Sequence, residues 1–289
     1  MVVTIAYDSG AVLPALAADL ARQTRPPQAW LVVDNSPQRA PVAAAPLAAT
    51  GVPLRCLAGG EGDGFGAGCN RAFDCLAADG WRGWVWLLNP DTALPRGDEL
   101  AELAEALAAQ GATALVGTAV DDGEGGLEPS GGWIDGGLAF RRRQLGAPER
   151  RRDQPLAVDW LSGCSLALQP TAHRPPARFD PRFPLYYEDM DLCLRQGRHG
   201  SPVLWLPHPA VVHRRGTGSA APGPRRVRLS TLSYLRFLRR HCPAWVFALR
   251  AGRLLLLSLL RLPRAPRRSG AALGGLASVL GEGLRGLSS

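Results

Sequence analysis

The apolar positions near the start of the chain form two patterns, short continuous runs and leucines at helical spacing. Val2–Ala6 and Trp30–Val33 are apolar, β-branched runs with the length of buried strands. Between them, leucines recur three and four residues apart, which predicts a helix over residues 11–23. A strand, a helix and a strand in succession predict a parallel sheet with a right-handed crossover. We therefore expect an α/β fold.

The same alternation continues to about residue 210. Further strands are predicted over residues 53–57, 84–88, 114–117, 165–169 and 203–206, with a hairpin around 133–140. Helices are predicted over residues 72–78 and 98–110 and from residue 188 onward. The expected architecture is a mostly parallel sheet flanked by helices, and such sheets bind ligands outside the carboxyl ends of their strands.

Polar residues follow several of these strands directly. Tyr7 and Asp34 come at the ends of the first two strands, and Asp91 follows the strand that ends at Leu88. A carboxylate just past a buried strand is well placed to hold a divalent cation, although aspartate is also a common turn or helix-capping residue. His213 follows the last predicted strand and precedes a glycine-containing stretch, where it is either structural or a ligand.

A glycine-rich stretch spans residues 59–71. Its glycines would let the backbone approach a ligand closely, and the helix predicted after it could direct its N-terminus at a phosphate. The alternative is a flexible connection. The stretch lacks the G-x-x-x-x-G-K-[ST] pattern, which excludes a P-loop.

Three carboxylates lie within four residues, at Glu188, Asp189 and Asp191, after an aromatic and apolar run. Crowded carboxylates beside apolar side chains resist ionisation, so the pKa of at least one should rise. A carboxylate of this kind can act as a general base near neutral pH. The alternative is a solvated helix N-terminus, where acidic residues favour the macrodipole.

The charge of the chain is unevenly distributed. Residues 1–213 contain 18 arginines and 24 acidic residues, whereas residues 214–289 contain 15 arginines and one acid, Glu282, and so carry a net charge of +14. The chain has no lysine, so its arginine content follows a compositional bias and is not itself a functional signal. The second segment suits an anionic surface, either a membrane or a nucleic acid.

The C-terminal segment predicts basic amphipathic helices over residues 227–241, 245–262 and 271–287. Within residues 245–262 the longest uncharged stretch, Leu254–Leu260, is far too short to span a bilayer. Leucines outnumber aromatic residues suited to base stacking, which favours a membrane surface and leads us to expect no nucleic acid partner. Six scattered cysteines without C-x-x-C pairing indicate a reduced, cytoplasmic protein without a zinc site.

Taken in order, six motifs resemble those of inverting GT-A glycosyltransferases of family 2, and most closely their rhamnosyltransferase-like and galactofuranosyltransferase-like branch. The motifs are Asp34-Asn-Ser-Pro, Gly64-Phe-Gly-Ala-Gly-Cys-Asn70, Leu87-Leu-Asn-Pro-Asp91, Trp160-Leu-Ser-Gly163, Tyr187-Glu-Asp-Met-Asp-Leu-Cys-Leu-Arg195 and His213-x-x-Gly216. The resemblance covers residues 1 to about 240 and implies a Rossmann-like sheet, with a basic tail that is also similar.

The resemblance implies a nucleotide-sugar donor. Asp34 would hydrogen-bond the nucleotide base and Tyr7 would line the base pocket, while Gly66 and Asn70 would lie in the loop beside the nucleotide and donor sugar. Asp91 resembles the second acid of a D-x-D metal motif whose first position here is Asn89. These implications include Mg²⁺ or Mn²⁺ as cofactor.

For the reaction itself, the resemblance assigns the catalytic base to Asp189 and a metal or diphosphate ligand to His213. Glu188 and Trp160 would lie near the acceptor or donor sugar, and Asp191 and Arg195 would complete the substrate-binding segment, with Arg195 as an anchor.

These inferences divide the chain into a catalytic domain, residues 1–222, and a basic helical tail, residues 223–289. The expected function is transfer of a sugar, with rhamnose the first candidate, to a glycan or polyprenyl-linked acceptor in cell-envelope polysaccharide synthesis. The expected place is the cytoplasmic face of the membrane. Two alternatives are a sugar-phosphate nucleotidyltransferase, which would need an N-terminal glycine-rich loop with a basic residue, and a nucleic-acid-binding protein.

Overall fold

The computed structural model describes residues 1–36, 41–60, 62–135, 141–214 and 223–285. The strands are β1 (Val2–Ala6), β2 (Trp30–Asp34), β3 (Leu54–Ala58), β4 (Val85–Leu88), β5 (Thr92–Ala93), β6 (Leu115–Asp121), β7 (Gly131–Asp135), β8 (Arg141–Gln144), β9 (Leu156–Ala157), β10 (Trp160–Leu161), β11 (Ser165–Leu168) and β12 (Val203–His213). The helices are α1 (Leu13–Ala21), α2 (Ala44–Ala48), α3 (Phe65–Ala78), α4 (Glu99–Ala108), α5 (Ala147–Arg150), α6 (Glu188–Arg198), α7 (Pro224–His241), α8 (Ala244–Arg261) and α9 (Pro266–Arg285).

The main sheet has the strand order β3-β2-β1-β4-β11-β6-β12-β5, and β9 pairs with β12. Strands β3, β2, β1 and β4 are parallel, as are β6 and β12, whereas β11, β5 and β9 run antiparallel to their neighbours. A smaller sheet has the order β10-β7-β8. The expected α/β fold, a mostly parallel sheet flanked by helices, is confirmed.

The central strands form because their apolar runs are buried on both faces, as is usual for parallel strands. Every residue of β1 is buried, and the indole of Trp30 in β2 is fully buried, where it donates a hydrogen bond to the Thr4 hydroxyl at 3.0 Å. The helically spaced leucines Leu13, Leu16 and Leu20 of α1 are likewise fully buried.

The strand order reverses between β1 and β4. The chain passes outward from β1 through β2 to β3 and then returns to the other side of β1 as β4, and ligands bind at the carboxyl ends of strands at such a switch point. Strand β11 is antiparallel to β4, so it starts at this edge, with Ser165 opposite Leu88. Strand β12 ends beside β5, with His213 opposite Thr92.

Two boundaries differ from the sequence-based expectation. Strand β12 extends to His213 rather than ending at Leu206, with a register shift between Leu206 and Ala210. Helix α3 begins at Phe65, so the prediction that Gly66 and Asn70 lie in a loop is wrong. The helix forms because residues such as Cys69, Ala72 and Phe73 bury one face of it.

The glycines of α3 have a packing role that explains their presence in a helix. A Cβ atom on Gly68 would lie 2.7 Å from Cγ2 of Ile5 in β1. Glycine therefore permits the close approach of α3 to the sheet, and this requirement offsets its low helix propensity.

The chain forms two compact units. The first contains Met1–Ile134, Arg142–Phe179 and Asp189–Gly216, and the second contains Asp135–Arg141, Asp180–Glu188 and Thr217–Ser289. The second unit therefore joins the C-terminal helices to a segment from within the first 222 residues.

The second unit has its own small apolar core. Its helices α7, α8 and α9 share a cluster of buried side chains, Leu235, Leu238, Ala251, Leu276 and Val279. Segment 180–188 is attached to α7 by an ion pair between Asp180 and Arg240 and by a hydrogen bond from the Leu185 amide to the Ser233 hydroxyl. Within the described residues, no helix has the length and apolarity needed to cross a bilayer.

Candidate active site

Asp189 lies in the first turn of α6, where two backbone amides bind its carboxylate. Gly163 N–H donates to Oδ2 at 2.9 Å, and the Met190 N–H donates to Oδ1 at 2.8 Å. Burial raises the pKa of Asp189, an effect that these amides and the nearby Arg142 guanidinium oppose without cancelling. The acidic cluster therefore contains a carboxylate with a raised pKa, as its sequence predicts.

The turn that presents Gly163 depends on the absence of a side chain there. A Cβ on Gly163 would lie 2.7 Å from Cε1 of Phe65. Phe65 in turn makes an edge-to-face contact with Phe179, with their ring centroids 5.7 Å apart. The glycine thus lets the loop before β11 pack closely against the start of α3 and direct its amide at Asp189.

Trp160 lies three residues before this amide and is almost fully buried. The Arg142 guanidinium carbon lies 5.4 Å from the centroid of the Trp160 ring, within cation–π range. Among the described residues, no hydrogen-bond partner meets the buried indole Nε1. The indole N–H is therefore available to a hydrogen-bond acceptor that enters the site.

Asp191 and Arg195 form an internal ion pair on α6. The Arg195 Nε atom lies 2.7 Å from Oδ2 of the fully buried Asp191, and Arg195 Nη2 donates to the Arg178 carbonyl at 2.6 Å. Glu188 is also buried, at the first position of the helix. The hydrogen bond to Arg178 attaches α6 to the segment before it, while contact of Glu188, Asp191 and Arg195 with substrate stays a prediction.

Asp91 and His213 meet at the carboxyl edge of the main sheet. The His213 Nε2 atom lies 3.1 Å from Oδ2 of Asp91, and its Nδ1 atom lies 2.9 Å from Oε2 of Glu128. The Arg214 amide also donates to the Asp91 carbonyl at 2.7 Å, which ties the end of β12 to the segment after β4.

The two carboxylates determine the protonation of this histidine. The hydrogen bond that His213 donates to Asp91 is the largest influence, the one with Glu128 adds to it, and burial opposes both, so that the pKa of His213 is raised to about 9. Without a metal, His213 is therefore an imidazolium held between two acids near neutral pH.

The donor set suits a hard or borderline divalent cation. Asp91 supplies a carboxylate oxygen and His213 an imidazole nitrogen, and carboxylate oxygens and substrate phosphates are the ligands Mg²⁺ and Mn²⁺ prefer. Across the described part of the chain, no cluster of three or more potential ligands has the geometry of a metal cage. The residues therefore fit a cation whose coordination is completed by a diphosphate and water.

The Asp34 carboxylate, at the carboxyl end of β2, accepts hydrogen bonds from backbone amides. Its two carboxylate oxygens accept hydrogen bonds from Ser36 N–H at 2.9 Å and from Val42 N–H at 2.7 Å. Tyr7, at the end of β1, is half exposed. Both residues lie at the carboxyl ends of their strands, and their roles toward a nucleotide base stay predictions. Pro37 and Gly216, which belong to the quoted motifs, lie outside the described residues.

Asn70 makes a two-point contact with the backbone of Phe179. Its Nδ2 atom donates to the Phe179 carbonyl at 2.8 Å, and the Phe179 N–H donates to its Oδ1 atom at 2.9 Å. Gly66 is buried one turn earlier in α3. Asn70 therefore attaches α3 to the segment that leads toward α6, and its contact with the donor sugar stays a prediction.

Sequence reasoning missed Glu128 and Arg142. Glu128 reaches His213 because a turn containing Gly123 and Gly125, both with positive φ, folds the chain back so that the Glu128 amide donates to the Val120 carbonyl at 2.8 Å. This glycine-containing turn directly after a strand was the sequence feature that could have indicated Glu128.

The comparisons with known proteins agree with this geometry. The family model described as "Glycosyl transferase family 2" matches residues 1–165. The chain belongs to glycosyltransferase family 2. A Mycobacterium tuberculosis protein named N-acetylglucosaminyl-diphospho-decaprenol L-rhamnosyltransferase is 29% identical over 301 residues, which cover 93% of this chain and 94% of the relative.

Two solved structures support the GT-A fold of this family 2 glycosyltransferase. The mannosyltransferase PcManGT of Pyrobaculum calidifontis, in complex with GDP-Man and Mn²⁺, has a TM-score of 0.57 and 14% identity, over 98% of this chain and 79% of that one. Residues 1-349 of S. aureus TarS, in complex with UDP-GlcNAc, have a TM-score of 0.54 and 14% identity, over 93% and 78%. The protein is thus a family 2 glycosyltransferase with the GT-A fold.

Proposed function

We propose that the protein is an inverting, metal-dependent glycosyltransferase of cell-envelope polysaccharide synthesis. It transfers a hexose, with L-rhamnose from a dTDP-rhamnose-type donor the first candidate, to a hydroxyl of a glycan or polyprenyl-linked acceptor. The rhamnosyltransferase relative supports the sugar and the acceptor class, because the match extends over nearly the whole of both chains.

The observation that carries this proposal is the placement of an acid with a raised pKa beside the carboxyl edge of the sheet. Gly163, which binds Asp189, precedes β11, and β11 starts opposite the end of β4. Asp91 follows β4 and meets His213 at the end of β12. The elements that carry the base and the charged pair therefore converge on one edge of the sheet.

Asp189 acts as the general base in the proposed reaction. As the acceptor oxygen attacks the anomeric carbon, the new C–O bond forms, the hydroxyl proton passes to the Asp189 carboxylate, and the bond to the diphosphate oxygen breaks. Attack and departure occur on opposite faces of the sugar, so the anomeric configuration inverts. A single base is sufficient, in contrast to the carboxylate pair of a glycoside hydrolase.

Asp91 and His213 are the residues that would hold the metal, and Glu128 would orient His213 through its Nδ1 atom. A bound Mg²⁺ or Mn²⁺ supplies charge neutralisation for the departing diphosphate. Two structures with a similar fold were solved with Mn²⁺, which supports this choice.

The remaining substrate contacts follow from position. Tyr7 and Asp34 would receive the nucleotide base, and the start of α3, with Gly66 and Asn70, would border the donor. Trp160 would bind the sugar through its buried indole N–H. In this proposal Glu188 borders the acceptor, while Asp191 and Arg195 act through their ion pair on α6.

The basic tail, residues 223–289, would place the enzyme at the inner face of the cell membrane, with residues 1–222 as the catalytic domain. Helix α8 exposes five leucines as large apolar side chains, Leu249, Leu255, Leu256, Leu259 and Leu260. An exposed apolar row on a basic helix is typical of a protein that lies on a membrane surface.

A donor screen tests the proposed reaction. The full-length protein, with Mn²⁺ and a polyprenyl-diphosphate N-acetylglucosamine acceptor, is incubated separately with UDP-, GDP- and dTDP-sugars while release of nucleoside diphosphate is measured. Acceptor-dependent release from one donor supports transfer. Formation of pyrophosphate from a nucleoside triphosphate and a sugar phosphate would instead establish the nucleotidyltransferase alternative.

A further inference from the structure

A cavity of about 460 Å³ opens among α7, α8 and α9 of the second unit. Two serines in its lining, Ser258 and Ser269, are more than nine-tenths buried. The arginines that line it are Arg250, Arg253, Arg261 and Arg268. Arg253, Arg261 and Arg268 are exposed, so the cavity opens to solvent and is bordered by like charges that repel one another.

The arginines meet because of their spacing along two helices. On α8, Arg253 follows Arg250 by three residues and Arg261 follows Arg253 by eight, so the three arginines share one side of that helix. Arg268 comes from the first turn of α9. Leu254 and Leu257 lie on the same side of α8 and also line the cavity. The cavity therefore combines cationic groups with an apolar wall.

Three of the four arginines have no carboxylate partner among the described residues. The only acidic residue after Asp191 is Glu282, and its carboxylate pairs with Arg236. In the part of the chain that the structure describes, Arg253, Arg261 and Arg268 form no ion pair. Arg250 interacts with the Tyr234 side chain, another group in the lining. The cavity is thus electrostatically suited to an anion from outside the protein.

One edge of the cavity borders the exposed leucines of α8. Leu249 lies four residues before Arg253, and Leu256 and Leu260 lie three and seven residues after it, so these side chains are neighbours on the surface of the helix. The three leucines are all more than half exposed. A ligand held by Arg253 would therefore lie next to an apolar surface suited to acyl chains.

We propose that this cavity binds the phosphate group of an anionic membrane lipid. Guanidinium groups form paired hydrogen bonds with phosphate oxygens, the serines can donate further hydrogen bonds, and Leu254 and Leu257 contact the apolar part of the ester. The site goes beyond the proposed transfer reaction, because it needs neither donor nor acceptor. It would select lipids by their phosphate group rather than by diffuse charge alone.

The test compares two full-length variants with equal charge. The cavity variant carries Arg253→Gln, Arg261→Gln and Arg268→Gln. The control variant carries Arg225→Gln, Arg264→Gln and Arg267→Gln, three exposed arginines of the same unit that do not line the cavity. Binding is measured by flotation with phosphatidylcholine vesicles, with and without phosphatidylglycerol, after thermal melts have shown that both variants are folded.

Both variants lose the same diffuse attraction to the membrane, since each loses three charges. The proposal expects the cavity variant to bind phosphatidylglycerol vesicles about tenfold more weakly than the control variant, because directed hydrogen bonds to phosphate are lost as well. Equal weakening would overturn it and leave only diffuse attraction.

Free inorganic phosphate distinguishes the source of the ligand. If the cavity serves a lipid, millimolar phosphate leaves vesicle binding of the wild-type protein largely intact, because the leucines add to the affinity of a lipid. The lipid assignment is wrong if phosphate abolishes vesicle binding. It is also wrong if phosphate binds the wild-type protein while the two variants have the same affinity for vesicles.

Discussion

The backbone N–H of Gly163 donates a hydrogen bond to the Asp189 carboxylate at 2.9 Å, across 26 residues of sequence. This contact joins the loop before β11 to the first turn of α6. Since amides stabilise the ionised form and burial destabilises it, the same geometry that places the carboxylate also adjusts its basicity.

The acidic limb of the pH profile should depend on Arg142. The charge of Arg142 lowers the pKa of Asp189, whereas burial raises that pKa. The neighbouring Cys193 thiol stays neutral because burial raises its own pKa. Arg142→Gln should therefore raise the Asp189 pKa further and move the fall of kcat/KM to higher pH. Arg143→Gln is the matched control, because Arg143 stacks on Trp133 instead.

The measurement is the pH dependence of kcat/KM for transfer from acidic to neutral pH. A displaced acidic limb with a similar plateau would identify Arg142 as a positioning residue that acts through Asp189. An unchanged limb, or the same displacement in both variants, would contradict this role.

Compared with the parent protein, Asp189→Asn should be more stable at pH 7 than at pH 4. Burial raises the folded-state pKa of Asp189, so ionisation of this group costs folding free energy as pH rises past its unfolded value, by ~1.4 kcal/mol for each unit of the shift. Asparagine removes this cost, but its single carbonyl oxygen can accept from only one of the two amides, Gly163 or Met190, so the variant also loses a hydrogen bond. Thermal melts of both proteins at pH 7 and pH 4 measure the difference, and a variant that compares no better with the parent protein at pH 7 than at pH 4 would be inconsistent with a raised pKa.

Asp91→Ala should weaken both nucleotide-sugar binding and transfer, because it removes the carboxylate proposed to hold the metal beside the diphosphate. A chelator should abolish wild-type activity and Mn²⁺ should restore it. Titration calorimetry of the donor with and without Mn²⁺ gives the measurement. Full activity in excess chelator would instead assign charge neutralisation to arginines.

Glu128→Gln should reduce the apparent Mn²⁺ affinity by about 10- to 100-fold while leaving activity at saturating Mn²⁺ much less affected, since Glu128 orients His213 rather than the substrate. Glu124→Gln in the same turn is the matched control, because Glu124 is exposed. A loss of activity that no concentration of Mn²⁺ restores would assign Glu128 another role.

Leu256→Ser together with Leu260→Ser should weaken membrane binding without affecting the fold. Both leucines are more than half exposed, so their replacement costs little folding free energy, whereas each can gain about 1–2 kcal/mol on entering a lipid layer. Flotation with anionic vesicles measures the loss, and nucleotide release with a soluble acceptor is the control. Unchanged vesicle binding, or a salt-sensitive shift of DNA by the wild-type protein, would contradict a membrane-surface role.

Much of the fold can be predicted from this sequence because the central strands are continuous apolar runs. Val2–Ala6 and Trp30–Asp34 are buried on both sides of the sheet, so their composition alone indicates their place. The start of α3 could not be predicted in the same way. Its glycines resemble a loop, and the reason for them is the approach of Gly68 to Ile5, on another element.

The contacts that sequence reasoning missed join residues far apart in the chain. Glu128 meets His213 across 85 residues, and Asp180 meets Arg240 across 60. Neither pair forms a local pattern, since charged residues of both signs are common on surfaces. The acidic cluster around Asp189 could be found because its carboxylates lie close together in sequence, whereas the amide of Gly163 that binds it could not.

The role of Asp189 as general base is tested most directly by comparing sugar transfer by the wild-type protein and by Asp189→Asn, with donor binding measured on the same samples. We expect the variant to transfer sugar ~10²–10⁴ times more slowly while its affinity for the nucleotide-sugar donor stays within about threefold of wild type, because a general base contributes to the transition state rather than to donor binding. Near-normal transfer by the folded variant would show that Asp189 is not the base and that the catalytic base lies elsewhere.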